Sequence, residues 1–230
     1  MSQKFTVLFD LDGTLVDTAP DLMLAHNHVM KKFGYEEREL SHIKKLAGGG
    51  SKKMLKKSIH EIAELSGKIK KTDEKIEDEM TKEFINFYSN NINKRSKLIS
   101  GALEFLNWCK NNSISMAVCT NKQEHLSIDL LKKIKIYHFF DYIAGGNTFN
   151  YNKPDPRHLT DVIEIIGGDV NKSIMIGDSE TDSNAANNAK IPFVLIEDGY
   201  TEKKIDQIYH DHSVKDFVGL EKIIKKYLND

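Results

Sequence analysis

Short, continuous apolar runs recur along the chain. Phe5, Val7, Leu8 and Phe9 form the first; Met116 to Cys119, Ile174 to Ile176 and Phe193 to Ile196 repeat it, and Tyr142 to Ala144 is a weaker fifth. Each is too brief for a helix and rich in β-formers, and the first ends at an Asp12-Gly13 turn signal. The runs do not alternate with polar residues, which predicts parallel strands covered by helices on both faces. Helical patterns separate them, through Leu103 to Lys110, Leu126 to Ile134, His158 to Ile166 and Ser183 to Lys190. Strand and helix thus alternate after about residue 100, the pattern of an α/β fold with a doubly wound parallel sheet.

The interval from about Asp17 to Ile99 breaks this rhythm, offering helical stretches and no strand candidate. Pro20 suits the first turn of a helix that carries Leu22, Ala25, Val29 and Phe33 and stops at Gly34. Ser51 suits the cap of a second helix through Met54, Leu55, Ile59 and Ile62, and a third carries Ile76, Met80, Phe84, Phe87 and Tyr88. These stripes read as packing faces of one helical unit. The expected division is a core of residues 1–16 and 100–230, with 17–99 inserted after strand one. An insertion there hangs over the C-terminal end of that strand, where open parallel sheets bind ligands, and so predicts a lid.

A length of 230 residues fits one core and an extra piece, at roughly 100 to 200 residues per domain. With 40% hydrophobic residues the chain is globular, and a formal charge of -1 gives no global field for nucleic acid or an anionic membrane. Any anion must therefore be bound locally. Two cysteines make no disulfide scaffold or metal motif, and no apolar stretch approaches the roughly 18 residues of a membrane span. The expectation is a cytoplasmic protein, monomer or homodimer, with neither nucleic-acid nor membrane partners. The nine histidines read as surface or packing residues, and Cys119 as a small core residue.

Chemistry gathers where strands end. Asp10 and Asp12 stand two apart at the tip of strand one, and Asp178 and Asp182 follow the Ile174 to Ile176 strand. If the two strands are neighbours the four carboxylates converge, which is unfavourable unless a cation sits among them, and oxygen ligands favour Mg²⁺. Thr120-Asn121 follows the second strand, offering a hydroxyl and backbone N–H groups at a helix start, a natural phosphate seat. Lys153-Pro154-Asp155-Pro156 follows the third, with two prolines stiffening the backbone around a lysine.

Asp10-Leu11-Asp12-Gly13-Thr14, Thr120-Asn121, Lys153-Pro154-Asp155-Pro156 and Gly177-Asp178 with Asp182 resemble, in order, the four motifs of the haloacid dehalogenase superfamily of phosphatases. Within it, Ala19-Pro20-Asp21-Leu22, Ala47-Gly48-Gly49-Gly50, Gly145-Gly146 and Gly199-Tyr200 resemble the bacterial phosphoglycolate phosphatases. Leu98-Ile99-Ser100 and Asn147 depart from that pattern, outside the catalytic set. The resemblance implies a Rossmann-like core with an α-helical cap domain and a Mg²⁺-dependent hydrolase acting on a small phosphorylated metabolite, 2-phosphoglycolate first.

By the same resemblance, Asp10 is the nucleophile that becomes an aspartyl phosphate and Asp12 the general acid and base. Mg²⁺ is held by Asp10, the Asp12 backbone carbonyl and Asp178, with Asp182 bound directly or through water. Thr120, Asn121 and Lys153 hold the phosphoryl oxygens. Gly49, Gly50 and Lys52 in the cap are candidates for substrate discrimination, against the plainer reading of the cap lysines as a solvated helix face. The alternatives are a phosphatase of broader range or a pyrophosphatase, a mutase retaining a bisphosphate, a phosphonatase with a Schiff-base lysine, a dehalogenase, and an inactive binding protein.

Overall fold

The computed structural model describes residues 4–66 and 74–228. Its main sheet has six strands: β1 (Thr6–Phe9), β4 (Ser115–Cys119), β5 (Tyr142–Ala144), β6 (Ser173–Gly177), β7 (Phe193–Ile196) and β8 (His212–Val214). They run parallel in the order β5-β4-β1-β6-β7-β8. The chain therefore builds outward from β1 in one direction, then returns to β1 and builds in the other. Ligands bind at such a switch point, beyond the carboxyl ends of the central strands.

Helices α5 (Ala102–Asn111), α6 (Glu124–Lys133), α7 (Arg157–Ile165), α8 (Glu180–Ala189) and α9 (Glu221–Leu228) accompany the sheet. The strands are buried on both faces because two apolar clusters divide their side chains. Val7, Phe9, Met116, Val118, Ile174 and Ile176 belong to one cluster, and Leu8, Ala117, Cys119 and Met175 to the other. That is why these runs show no alternation in the sequence. The five expected strands are all present; β8, three half-buried residues at the edge, leaves too short a pattern to be foreseen, and α9 was overlooked although Ile223, Ile224 and Tyr227 form an apolar stripe.

Between β1 and α5 lie α1 (Ala19–Lys32), α2 (Leu40–Leu46), the turn Ala47–Gly49, α3 (Ser51–Ser66) and α4 (Glu74–Asn91). The short α2 was not anticipated, and the absence of strands expected over 17–99 is corrected. Val16–Asp17 (β2) pairs antiparallel with Lys97–Leu98 (β3), a ribbon too short to leave a periodic signal. It joins the two chain crossings that lead into and out of the helices.

Asp21 fastens the same crossings. Its buried carboxylate accepts from the Arg95 and Ser96 backbone N–H groups at 2.9 Å and from the Ser96 hydroxyl at 2.6 Å. Asp21→Ala strands both backbone donors, and is expected to lower stability by about 2 kcal/mol or more, read from urea unfolding. A change below about 0.5 kcal/mol would show that solvent replaces the clamp.

Candidate active site

Strand register explains how distant residues meet. Phe9 lies beside Val118 on one side and Ile176 on the other, so Asp10, Thr120 and Asp178 leave adjacent strands at nearly one level. Asp10 N–H still bonds the Ile176 carbonyl at 2.9 Å, extending the ladder into the site. Gly13, at φ 88°, then turns the chain; a Cβ there would press on an Asp178 oxygen and on the Tyr200 ring. Gly199 carries no side chain for a similar reason, since a Cβ would overlap that of Asp178.

Lys153 sits at the centre. Its ammonium donates to Asp10 Oδ1 at 2.7 Å and to Asp182 Oδ1 at 2.5 Å, with all three side chains at most 10% exposed. Asp182 Oδ2 accepts from the backbone N–H groups of Asp178 and Ser179 at 3.2 and 3.0 Å and from the Ser179 hydroxyl at 2.7 Å. Asp182 therefore caps α8 and also pairs with the lysine. Asp178 accepts from the Thr14 hydroxyl at 2.7 Å and the Tyr200 backbone N–H at 2.5 Å.

Asp10, Asp178 and Asp182 each bring a carboxylate oxygen within 4.8 Å of the others. Burial raises the Asp10 carboxyl to about 6; Lys153 opposes this, and the neighbouring Asp182 and Asp12 add to it. Burial, reinforced by Asp10 and Asp182, also raises Asp178 well above the usual carboxylate range. Burial works against the Lys153 ammonium, but its two carboxylates prevail and its proton is held more tightly than usual. One lysine thus leaves the cluster short of positive charge. An all-oxygen, buried, charge-deficient donor set fits a hard divalent cation.

Asp12 stands apart from this group. It accepts from the Thr18 hydroxyl at 2.7 Å, and the Lys122 ammonium lies 3.0 Å from both its oxygens. Lys122 also donates to the Tyr88 hydroxyl of α4 at 2.9 Å. Sequence reasoning missed this pair. Lys122 was recognisable by its place directly after Thr120-Asn121, whereas Tyr88 reads as part of an apolar stripe. That reading suits its ring, stacked on Phe84 with centroids 5.9 Å apart, and says nothing of the hydroxyl.

A cavity of about 580 Å³ is lined by Asp10, Asp12, Thr120, Asn121, Lys153, Asp178 and Asp182 from the sheet side, and by Gly50, Lys52 and Tyr88 among the inserted residues. Two expectations change in detail. Thr120-Asn121 does not start a helix, because α6 begins at Glu124, and the Thr120 N–H is spent on the Ala144 carbonyl at 2.9 Å. Asn121 braces the lysine loop, its Nδ2 donating to the Lys153 carbonyl at 2.9 Å. Lys52 is half-exposed and pairs with Asp78 of α4 at 2.7 Å, in keeping with a solvated face. Gly49 lies in the Ala47–Gly49 turn, and Gly50 turns the chain into α3 at φ 84°.

Outside these groups, Asn147 Oδ1 caps α6 by accepting from the Glu124 N–H at 2.9 Å. His158 is buried and neutral, its pKa lowered to about 4 by burial and then by Lys153. Burial pushes the Cys119 thiol up to about 12, leaving it an inert packing group.

Carboxylates at the strand tips, a paired lysine behind them and a cavity closed by inserted helices define a hydrolase site on a parallel sheet. Residues 7–196 match the model of the haloacid dehalogenase-like hydrolases, and the chain belongs to that family. It is 36% identical to the phosphoglycolate phosphatase of Agrobacterium fabrum, covering 95% of this chain and 94% of that one. The phosphoglycolate phosphatase of Mesorhizobium japonicum is 34% identical, over 93% of this chain and 92% of its own. The crystal structure of a predicted phosphoglycolate phosphatase from Haemophilus somnus 129pt superposes with a TM-score of 0.89 at 27% identity, over 97% and 99% of the two chains. The chain is an enzyme, a phosphatase of this family. No helix among the described residues is long and apolar enough to cross a membrane.

The carboxylate cluster makes a cation test direct. With Asp10 at about 6 in the folded chain against 3.8 unfolded, the folded state holds a proton across that window that the unfolded state has lost. Without a cation, stability falls as pH rises from about 4 to about 6. A single Mg²⁺ concentration, about 100 times the Kd at pH 8, is therefore expected to raise Tm by about 5 °C or more at pH 8, and by clearly less at pH 5, where protons compete and weaken binding. Equal shifts at both pH values would place the cation elsewhere. Gly199→Ala, which crowds Asp178, is expected to weaken the cation at least about 10-fold in the same titration.

Proposed function

We propose that the enzyme is a Mg²⁺-dependent phosphomonoester hydrolase whose substrate is 2-phosphoglycolate, cleaved to glycolate and phosphate through an aspartyl phosphate on Asp10. The observation that carries the reading is the buried Lys153 ammonium held between Asp10 and Asp182, with Asp178 alongside. Such a centre receives a phosphoryl group beside a carboxylate fixed as nucleophile. The curated relatives named for phosphoglycolate match nearly the whole chain, and they support the choice of substrate.

In this reading the Asp10 carboxylate attacks phosphorus in line, and Lys153 and Thr120 steady the equatorial oxygens as charge shifts. Asn121 supports Lys153 from behind through its carbonyl bond. Asp12 protonates the departing alkoxide, then takes a proton from the water that attacks the acyl phosphate. Asp10, Asp178 and the Asp12 carbonyl, with Asp182 beside them, would hold Mg²⁺, which would supply the charge neutralisation an anionic nucleophile needs to meet an anionic phosphate.

Residues 17–99 act as a cap on a core of 1–16 and 100–230, excluding water until substrate is bound. Gly50, just after the Ala47–Gly49 turn, supports this, because a Cβ there would stand in ordinary van der Waals contact with the Asn121 carbonyl at 3.5 Å, so that insertion and core lie side by side.

Asp10→Asn is expected to lower phosphate release by about four orders of magnitude or more with the far-ultraviolet spectrum and Tm near wild type. Substantial residual turnover would remove Asp10 from the nucleophile's role. A phosphate-release screen with Mg²⁺ across 2-phosphoglycolate, sugar phosphates, nucleotides and pyrophosphate tests the substrate. Comparable kcat/KM on several of them would replace the specific reading with a broader one.

A further inference from the structure

The proposed chemistry leaves a buried cation on the cavity wall without a task. Lys122 has a side chain only 5% exposed, and its three ammonium donors meet the two Asp12 oxygens and the Tyr88 hydroxyl. Asp12 is its one ion-pair partner among the described residues. Tyr88 is 1% exposed. Its oxygen accepts from Lys122, and no acceptor among the described residues takes the phenolic proton. Burial holds that proton firmly, so the group stays a donor. The ammonium's donors are thus engaged by Asp12 and the phenol, while the phenolic proton is left to the cavity without an acceptor among the described residues, where the neighbouring lining includes Leu22, Phe84 and Leu126.

Position decides what the pair can recognise. Asp12, as proton donor, must lie within about 3 Å of the bridging ester oxygen. Lys122 Nζ is 3.0 Å from both Asp12 oxygens, so the first carbons of the leaving group pass beside it. In 2-phosphoglycolate the carboxylate carbon is two bonds from the bridging oxygen.

We propose that Lys122 and the Tyr88 hydroxyl form a carboxylate receptor that selects phosphomonoesters bearing a carboxylate on the ester carbon. The inference rests on the phosphatase reading above and deepens it. Lys122 comes from the loop after β4 and Tyr88 from α4, so the receptor exists only while insertion and core are closed on each other.

Matched pairs of ligands test it. For turnover, 2-phosphoglycolate is compared with ethyl phosphate; for binding, non-hydrolysable 3-phosphonopropionate is compared with propylphosphonate by calorimetry with Mg²⁺. Wild type is expected to favour the carboxylate-bearing member of each pair. Lys122→Met should shrink both preferences by about 30-fold or more, with the loss in KM and Kd, the size typical of removing one partner of a buried charge pair. Tyr88→Phe keeps the ring and should shrink them by about 3- to 10-fold, so a poorly folding lysine variant leaves the test intact. A preference that survives in both variants overturns the receptor while leaving the glycolate reading standing. Wild type with equal rates on the two esters overturns both receptor and glycolate, yet leaves a phosphatase. Loss of kcat on both esters with the binding preference retained also overturns it, assigning Lys122 to orienting Asp12.

Discussion

Everything at this site depends on one buried ammonium shared by two carboxylates. Lys153 reaches Asp10 and Asp182 from the loop after β5, across the point where β1 and β6 lie side by side. Three charges this deep survive only because each is paired and hydrogen-bonded; removing one partner of such a group typically costs about 3 to 5 kcal/mol. The lysine thereby fixes the rotamer of Asp10 and the geometry of Asp182, which in turn caps α8. With Asp178 added, carboxylates outnumber the lysine, and that residual negative charge is what invites a cation. The formal charge of -1 over the whole chain conceals this local imbalance.

The inserted helices are bound to that centre by polar devices as well as by packing. Asp21 clamps the two crossings, and the Tyr200 hydroxyl donates to Asp17 at 2.6 Å while accepting from the Ala19 N–H at 2.7 Å. The backbone N–H of the same Tyr200 holds Asp178, so the start of α1 and the carboxylate cluster share one residue as support. Thr18, at the start of the insertion, holds Asp12. Through Lys122 and Tyr88 the far end of the insertion reaches Asp12 as well. The insertion and Asp12 are thus linked physically at both ends.

Much of the molecule was legible in the sequence, for identifiable reasons. The strands were readable because burial on both faces demands unbroken apolar runs, and the acids were conspicuous because they cluster just past the ends of two such runs. The helices α1, α3 and α4 announced themselves by long amphipathic stripes. What escaped notice was short or half-exposed: α2, the β2–β3 ribbon and β8 contain too few residues for a period to show. Asp21 stands in the first turn of α1, and nothing near it in sequence names Arg95 and Ser96 as its partners.

The sequence by itself determined the parallel sheet, the helical insertion and the set of acids at the strand tips. These follow from local rules, the period of burial and the chemistry of neighbours. The tertiary structure alone decided which charges meet, since Asp10 with Lys153, Asp12 with Lys122 and Tyr88 with Lys122 are separated by 143, 110 and 34 positions. It also decided which lysine is buried. Lys52 and Lys122 are both polar lysines in the chain, yet one ends half-exposed on Asp78 and the other buried on Asp12, because the loop after β4 lies against Tyr88 of α4. Burial of a charge depends on every element packed around it, and no local stretch of sequence contains that information.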